Sequence, residues 1–571
     1  MIGAIRRKAR QVFDDPVLRR WLVERTLRRV PGPPPYNENC PAYLADVPTL
    51  HPRQFSVPQE YDTNPDTMTA GPLDLALPGE DLRIEICDTP SIFSRHFSDT
   101  ETLLALHRFA WLPLTTPVVD PGWVQALWKQ WRGQFGTPSG TWPWHPYTAA
   151  ERVLNLIDYI MRSGFPGDPE ETIAVLARHG PAIAGQLEYY GDHYTSNHLS
   201  NNGRGLYRLG LFLGWSECAD IGAAILLNEA PRIFMPSGTL REGSSHYHVL
   251  LTRNYADAWL AARRHGRAEE AALRKIVTRA LSVIPALTLP GGMPLVGDIS
   301  PDCPPEFLDG LADGRSDWLA QRSDDDRRAL AQLCATVAPA DREVLAADGW
   351  VRADHAPWAA LWHCAPDGWS QMPGHGHQDC GSFELHHDGQ PIIIDPGRGQ
   401  YGEEGDAARY RSAKTHSGLV IDGADPYPAN RPYYDDDFRQ ETCGTPPSIS
   451  TFEDGVSLTF EGLSRLKGVG QVNRRWSFSA DCVILTDNVA GTRTADIERR
   501  FITHHDVTLD GATAQFQAGN RRFEITTDDG TVELRPVVRW TAYGRGEAAT
   551  EILIHTRAAL NWTSQIQIRV L

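Results

Sequence analysis

The chain has 571 residues, of which 41% are hydrophobic and 22% charged, with a formal net charge of -17; this describes a globular protein too long for one hydrophobic core and argues against nucleic acid as its partner. It contains no run of eighteen apolar residues, so a membrane-spanning helix is not expected. Its nine cysteines are scattered and form no CxxC pair, the pattern of reduced, mostly buried thiols.

Residues 1–30 carry nine basic and three acidic side chains, with Val12, Phe13, Leu18, Trp21 and Leu22 available for one apolar face. The pattern predicts a basic helix docked on the body of the protein; weak contact with a membrane surface is its other use. No apolar h-region follows Arg6, Arg7, Lys8 and Arg10, and Asp14-Asp15 arrives early, so a cytoplasmic site is expected, with the periplasm as the alternative. Residues 31–70 are rich in Pro, Asn and Asp, as in Pro31-Gly32-Pro33-Pro34-Pro35 and Asn64-Pro65-Asp66, and read as an extended wrapping segment. Helix and segment form a first unit, residues 1–95.

From about residue 100 apolar positions recur every three or four residues, as in Val153, Leu154, Leu156, Ile157 and Ile160. Helices are predicted over 102–111, 123–135, 148–161, 169–179, 182–190, 203–214, 218–230, 245–265, 269–287 and 324–337. So many antiparallel helices bury both faces in a solenoid or an α/α toroid, and the absence of a fixed sequence period favours the toroid, over residues 96–350. Trp123, Trp128, Trp131, Trp142, Trp144 and Tyr147 crowd one region; rings of this kind stack on sugars, but most are expected in the core. Two polar clusters open helices here. They are Ser196-Asn197-His198-Leu199-Ser200-Asn201-Asn202-Gly203 and Arg241-Glu242-Gly243-Ser244-Ser245-His246-Tyr247-His248. Helix N-termini favour anions, but Asn197, Ser244 or Ser245 could equally serve as caps.

Beyond residue 351 the signal turns to strands with Asp-Gly turns at 454–455, 510–511 and 529–530, an antiparallel sandwich over 351–571. At its start, Ser382-Phe383-Glu384-Leu385-His386-His387 alternates, Asp388-Gly389 is a hairpin signal, and Pro391-Ile392-Ile393-Ile394 reads as the return strand. Around the hairpin lie Gly374-His375-Gly376-His377-Gln378-Asp379, Asp395-Pro396-Gly397 and His416-Ser417-Gly418. His377, Asp395 and His416, 18 and 21 residues apart, offer two imidazoles and a carboxylate, a set that suits zinc with water completing a tetrahedron. The other reading is hydrogen-bonded histidines at sheet corners. His375 is left free for another task.

Asn197-His198, Gly243-Ser244-Ser245-His246-Tyr247-His248, His375-Gly376-His377-Gln378-Asp379, Ile394-Asp395-Pro396-Gly397 and Thr415-His416 together resemble the heparinase II/III-like family of polysaccharide lyases, in order and context over roughly residues 100–500. The resemblance implies a multidomain α and β protein, an N-terminal incomplete (α/α) toroid followed by a C-terminal antiparallel β-sandwich, with the site in the cleft between them. It implies β-elimination next to a uronic acid, with an acidic, uronate-containing polysaccharide or oligosaccharide as partner. Tyr247 would be the base and acid, Asn197 and His375 would neutralise the carboxylate and His198 would assist. His377, Asp395 and His416 would hold a structural zinc, and His246, His248, Asn201 and Tyr401 would contact substrate. Two other functions stay open: an α/α-toroid glycoside hydrolase using paired carboxylates such as Glu242 and Asp379, and a non-catalytic glycan-binding or polysaccharide-assembly protein on the same scaffold.

Overall fold

The computed structural model describes residues 9–571 except 11, 31–39, 48, 64–70, 116–118, 192–195, 371–373 and 432. Arg6, Arg7, Lys8, the proline run 31–35 and Asn64-Pro65-Asp66 therefore lie outside the described residues.

The helical part is an incomplete (α/α) toroid whose helices include Pro121–Phe135, Pro146–Ser163, Pro169–Ala184, Asn197–Leu213, Ser216–Ile233, Ser245–Arg264 and Glu270–Leu287. Pro146–Ser163 shows how sequence sets the element: proline opens it, Val153, Leu156, Ile157 and Ile160 share the buried side, and Gly164 at φ 88° stops it. Asn197–Leu213 and Ser216–Ile233 pack so closely that a Cβ on Gly222 would lie 2.3 Å from the Tyr207 backbone nitrogen. Only glycine fits there.

Pro146–Ser163 and Asn197–Leu213 run the same way with their N-termini gathered at one end, since their contacts advance together: the Tyr147 and His198 rings at 4.7 Å, Glu151 with Arg204 at 3.2 Å, and Asp158 with Arg208 at 2.7 Å. Further along, the middle of the toroid is filled by charge. Asp257 is held by Arg204 at 2.9 Å, by Arg208 and by Arg322, and Arg322 also reaches Asp158 at 2.6 Å. Every carboxylate in this network has a guanidinium partner, which is the condition for burying it.

The expected helices 169–179 and 182–190 are one helix, Pro169–Ala184, running through Pro181. Pro181 stands in its last turn, where it removes one hydrogen bond, that to the Ala177 carbonyl, and the fully buried Ile183 holds the turn in place. Trp123, Trp128, Trp131 and Trp144 are core residues, with Trp128 and Trp131 stacked at 5.4 Å, whereas Trp142 is 52% exposed.

In the β part, an eight-stranded antiparallel sheet orders Val507–Asp510, Thr513–Ala518, Arg521–Thr527, Trp562–Val570, Cys482–Gly491, Val469–Phe478, Gly455–Phe460 and Ser448–Phe452. A four-stranded sheet holds Thr531–Ala542, Arg545–Ala559, Thr494–Thr503 and Leu419–Ile421, and another holds Trp350–His355, Trp358–His363, Glu384–His387 and Gln390–Ile393. The alternating burial of Val469–Phe478 faces Trp476, Arg474 and Val472 inward, as a two-layer sandwich requires. The hairpin predicted at Asp388-Gly389 is present; both residues have positive φ, 46° and 77°, as a type I′ turn demands.

The N-terminal helix, Pro16–Thr26, packs on this sandwich through Val17, Leu18 and Trp21, whose ring lies 4.4 Å from Tyr433 and 6.0 Å from Tyr434. The apolar face read from sequence is divided: Leu18 and Trp21 point inward, while Phe13 and Leu22 remain exposed. All nine cysteines are free, and among the described residues no helix is long and apolar enough to cross a membrane.

Candidate active site

Both polar clusters of the toroid have their caps supplied by serine. The Ser196 hydroxyl accepts from His198 N at 3.3 Å and Ser244 Oγ from Tyr247 N at 3.1 Å. Asn197, in the first turn, is thereby free of capping duty. Its backbone N–H donates to Glu242 Oε1 at 2.9 Å, and its side-chain Nδ2 lies 3.4 Å from His375 Nε2. Asn197 and His375 come from different domains and meet in the cleft.

His375 is stacked on Tyr247, ring centroids 3.5 Å apart and 10° from parallel. Its Nδ1 donates to Asp298 Oδ2 at 3.1 Å, and its Nε2 stands 3.6 Å from Glu242 Oε2. The Tyr247 hydroxyl is 2.5 Å from that of Tyr401, which also donates to Ile299 O at 3.3 Å. Burial, reinforced by Asp302, pushes the Tyr247 phenol well above its ordinary value, and the Tyr401 hydroxyl works against that shift. On the other side His198, 44% exposed, donates to Glu188 Oε1 at 2.6 Å and packs on Tyr147. Partial desolvation opposes its charge, but Glu188 outweighs it and raises the imidazole. Tyr147 in turn donates to Asp302, which pairs with Arg108 at 2.9 Å.

His377, Asp395 and His416 converge, each offering a ligand atom within 4.8 Å of the others. His377 donates Nε2–H to Asp298 Oδ1 at 2.8 Å, and its Nδ1 is buried without a partner. His416 donates Nε2–H to Tyr410 O at 3.1 Å and turns Nδ1 to Asp395 Oδ2 at 2.7 Å. Burial disfavours a charged His416, yet Asp395 raises it to about 9. These residues fit a divalent cation: two imidazoles anchored through their far nitrogens, an orphaned near nitrogen and one carboxylate are the donor set and outer shell of a zinc site.

Not every expected contact residue reaches the cleft. His248 points into the core, Nδ1 accepting from Leu240 N at 3.2 Å and Nε2 donating to Ala280 O at 3.0 Å, so neither nitrogen is left for substrate. His246 is 3% exposed and accepts from Ser300 N at 3.0 Å. Burial lowers it to about 3, a neutral ring that fastens residue 300 to the helix. Asn201, 1% exposed, lies one turn beyond Asn197 and is sealed from the cleft. Only Tyr401, through its hydroxyl, joins the group around Tyr247. Asp379 is buried, its Oδ2 3.7 Å from His363 Nδ1, beside a small cavity that it lines together with His363, Glu384 and Asp395. It cannot flank a bond in the cleft as the hydrolase reading needs. The residues missed from sequence are Asp298, Arg398, Glu188 and Asp302, and Glu242 in its role beside Asn197.

Residues 338–568 match the family model described as Heparinase II/III-like, C-terminal. No curated protein matches the sequence. Among solved structures the chain is similar to a heparinase III (16% identity, 84% of this chain and 79% of that one, TM-score 0.63). A second heparinase III gene product is 14% identical over 98% of this chain and 93% of its own, with a TM-score of 0.56. The heparan sulfate lyase of Pedobacter heparinus is 16% identical over 83% and 77%, with a TM-score of 0.52. Residues 338–568 thus match the heparinase II/III-like C-terminal family, and the toroid and sandwich together share the fold of heparinase III.

Proposed function

We propose that the protein is a polysaccharide lyase that cleaves a uronate-containing glycan by β-elimination. The observation that carries this reading is the convergence of Asn197 Nδ2 and His375 Nε2, 3.4 Å apart, beside the Tyr247 ring. A C5 proton next to a carboxylate is weakly acidic. It leaves only if the charge that spreads into the carboxylate is met by donors already in place. Asn197 supplies an N–H, and His375, already tied to Asp298 through Nδ1, meets the same carboxylate with Nε2, where a proton completes the pair. Tyr247, as phenolate, takes the C5 proton and passes it to the leaving O4 on the same face. The C5–H and C4–O4 bonds break, a C4=C5 double bond forms, and the tyrosine ends as it began. Once Tyr247 is a phenolate, Tyr401 can turn its one hydroxyl proton from Ile299 O to the phenolate oxygen while the base waits.

With a metal bound, His377 Nδ1, Asp395 and His416 Nδ1 would hold it, and its charge would brace the loop carrying His375 from the sandwich side. The fold of lyases named for heparin and heparan sulfate supports an acidic polysaccharide as substrate class. Incubation with a panel of uronate polymers tests the reading by ultraviolet absorbance: a lyase leaves a conjugated C4=C5 bond, a hydrolase leaves new reducing ends without it, and a binding protein leaves neither. Absence of the new absorbance on every polymer defeats the proposal.

A further inference from the structure

Asp298 belongs to none of the sequence motifs, yet it touches both halves of the site. It lies on a strap, residues 294–302, threaded between the N-terminus of Ser245–Arg264 and the loop that carries His375. Gly297 makes this possible: φ is 79°, and a Cβ there would meet Gly243 O at 2.7 Å and His375 O at 2.8 Å. The strap is pinned by Asp298 N donating to His375 O at 2.9 Å and by Ser244 Oγ donating to Asp298 O at 2.7 Å.

The Asp298 carboxylate, 4% exposed, is divided between two imidazoles. Oδ1 accepts from His377 Nε2 at 2.8 Å and Oδ2 from His375 Nδ1 at 3.1 Å, while Arg398 spans both oxygens at 3.1 and 3.4 Å. Each imidazole gives its inner N–H to this one carboxylate and keeps its outer nitrogen for a different ligand. For His377 that nitrogen is the orphaned Nδ1 of the metal group; for His375 it is the Nε2 that faces Asn197.

We propose that Asp298 is a positioning residue that couples the metal centre to the carboxylate-binding pair, fixing the tautomer of His377 for metal and of His375 for substrate through one rigid carboxylate. A metal that draws on His377 Nδ1 thereby pulls against Asp298, which holds His375 in register over Tyr247. Coupling of this kind is reciprocal: a uronate in the carboxylate subsite must tighten zinc by the factor by which zinc tightens the uronate. The catalytic half rests on the lyase reading; the metal half does not.

Asp298→Asn keeps the shape but replaces one acceptor oxygen with an N–H, so it can serve only one of the two imidazoles. Zinc affinity, measured by chelator competition without substrate, is expected to fall about 10- to 100-fold, the usual effect of losing an outer-shell partner. The kcat for elimination is expected to fall on the order of 10²-fold with KM changed less. Nitrogen-15 spectra of labelled histidine should show the single ring tautomers of the wild type become mixed. In the wild-type protein, glucuronate should slow zinc release to the chelator, and in the variant it should not. An Asp298→Asn protein with zinc affinity, tautomers and kcat all near wild type overturns the proposal. If that variant fails to fold, wild-type zinc release that is indifferent to glucuronate overturns it instead. Should no polymer be eliminated, the lyase reading falls alone, because zinc affinity and the His377 tautomer still report on Asp298.

Discussion

His375 lies face to face with Tyr247, ring centroids 3.5 Å apart and planes within 10° of parallel. Negative charge left on the phenol by loss of its proton spreads into a ring in van der Waals contact with the imidazole, so the two groups act as one electrostatic unit. Burial pushes Tyr247 well above its ordinary value, and the Tyr401 and Ser300 hydroxyls work against that shift; a proton on His375 Nε2 would add to them through the stack.

The first prediction follows from that stack. The kcat for elimination should still be rising with pH on the alkaline side of neutrality, since a raised phenol is converted to base only there. In His375→Gln the rising limb should move further up, beyond the drop in rate itself. A limb in the same place in both proteins would show that the stack does not influence the tyrosine.

The second concerns the metal. A cation that binds the folded but not the unfolded chain adds about 2.7 kcal/mol of stability at a hundredfold excess over its Kd. A chelator should therefore lower the wild-type melting temperature and leave that of His377→Ala unchanged. Elemental analysis finding no stoichiometric metal in the purified wild-type protein would end the idea.

The third is a stability maximum near neutral pH. Burial pushes His107 and His246 down to about 3 and His248 to about 4, so they stay neutral in the folded state while the unfolded chain takes protons below about 6.5. Their contribution is complete above 6.5 and is lost as pH falls toward 3, by up to about 1.4 kcal/mol per pH unit for each histidine. His416 in metal-free protein runs the other way: raised to about 9, it contributes fully below 6.5 and its share is lost as pH rises through 9. Thermal melts from pH 5 to 9 check both limbs; a melting temperature that climbs steadily as pH falls from 7 to 5 contradicts the assignment.

Much of this was readable in the sequence wherever the determinants are local. The Asp388-Gly389 turn and the alternation before it gave the hairpin, and the 3.6-residue period gave the long helices. Tyr247, Asn197 and His375, singled out through the motifs that carry the resemblance, lie together in the cleft. The errors fall where geometry depends on distant partners. Neighbours on a helix diverge by about 100°, so with Tyr247 facing the cleft, His246 and His248 must face elsewhere. Asn201 shares the face of Asn197 but lies about 6 Å deeper along the axis. Asp298 is a lone carboxylate between Gly297 and Ile299, and its partners His375 and His377 lie 77 and 79 residues away. Nothing in its local spacing distinguishes it from a turn residue.

The fourth prediction tests the N-terminal helix. Trp21 is 1% exposed and its ring packs against Tyr433 and Tyr434. Trp21→Ala should cost about 3–5 kcal/mol of stability, the usual range for deleting a buried aromatic. Exposed Leu22→Ala should cost well under about 1 kcal/mol. Equal small effects in denaturant melts would show that the helix is not docked in solution.

The last prediction separates the roles of Tyr247, Asn197 and His375. Tyr247→Phe removes only the hydroxyl and leaves the ring stacked on His375, so folding and substrate binding should survive while kcat falls on the order of 10²- to 10⁴-fold, the worth of a positioned proton transfer. Asn197→Ala and His375→Ala should each lower kcat by roughly 10²- to 10³-fold, because they stabilise charge that develops only as the C5–H bond breaks. KM should move less than kcat in all three. Since one transition state uses all of them, Tyr247→Phe combined with His375→Ala should cost less than the product of the single effects. Without its base the enzyme has little charge for His375 to stabilise, and without His375 the base has no acidic proton to take. Fully multiplicative losses would mean that the two residues act in separate steps. Near-normal elimination by Tyr247→Phe would remove the tyrosine from the proton transfer and leave His198, the half-exposed imidazole on Glu188, as the base to test next.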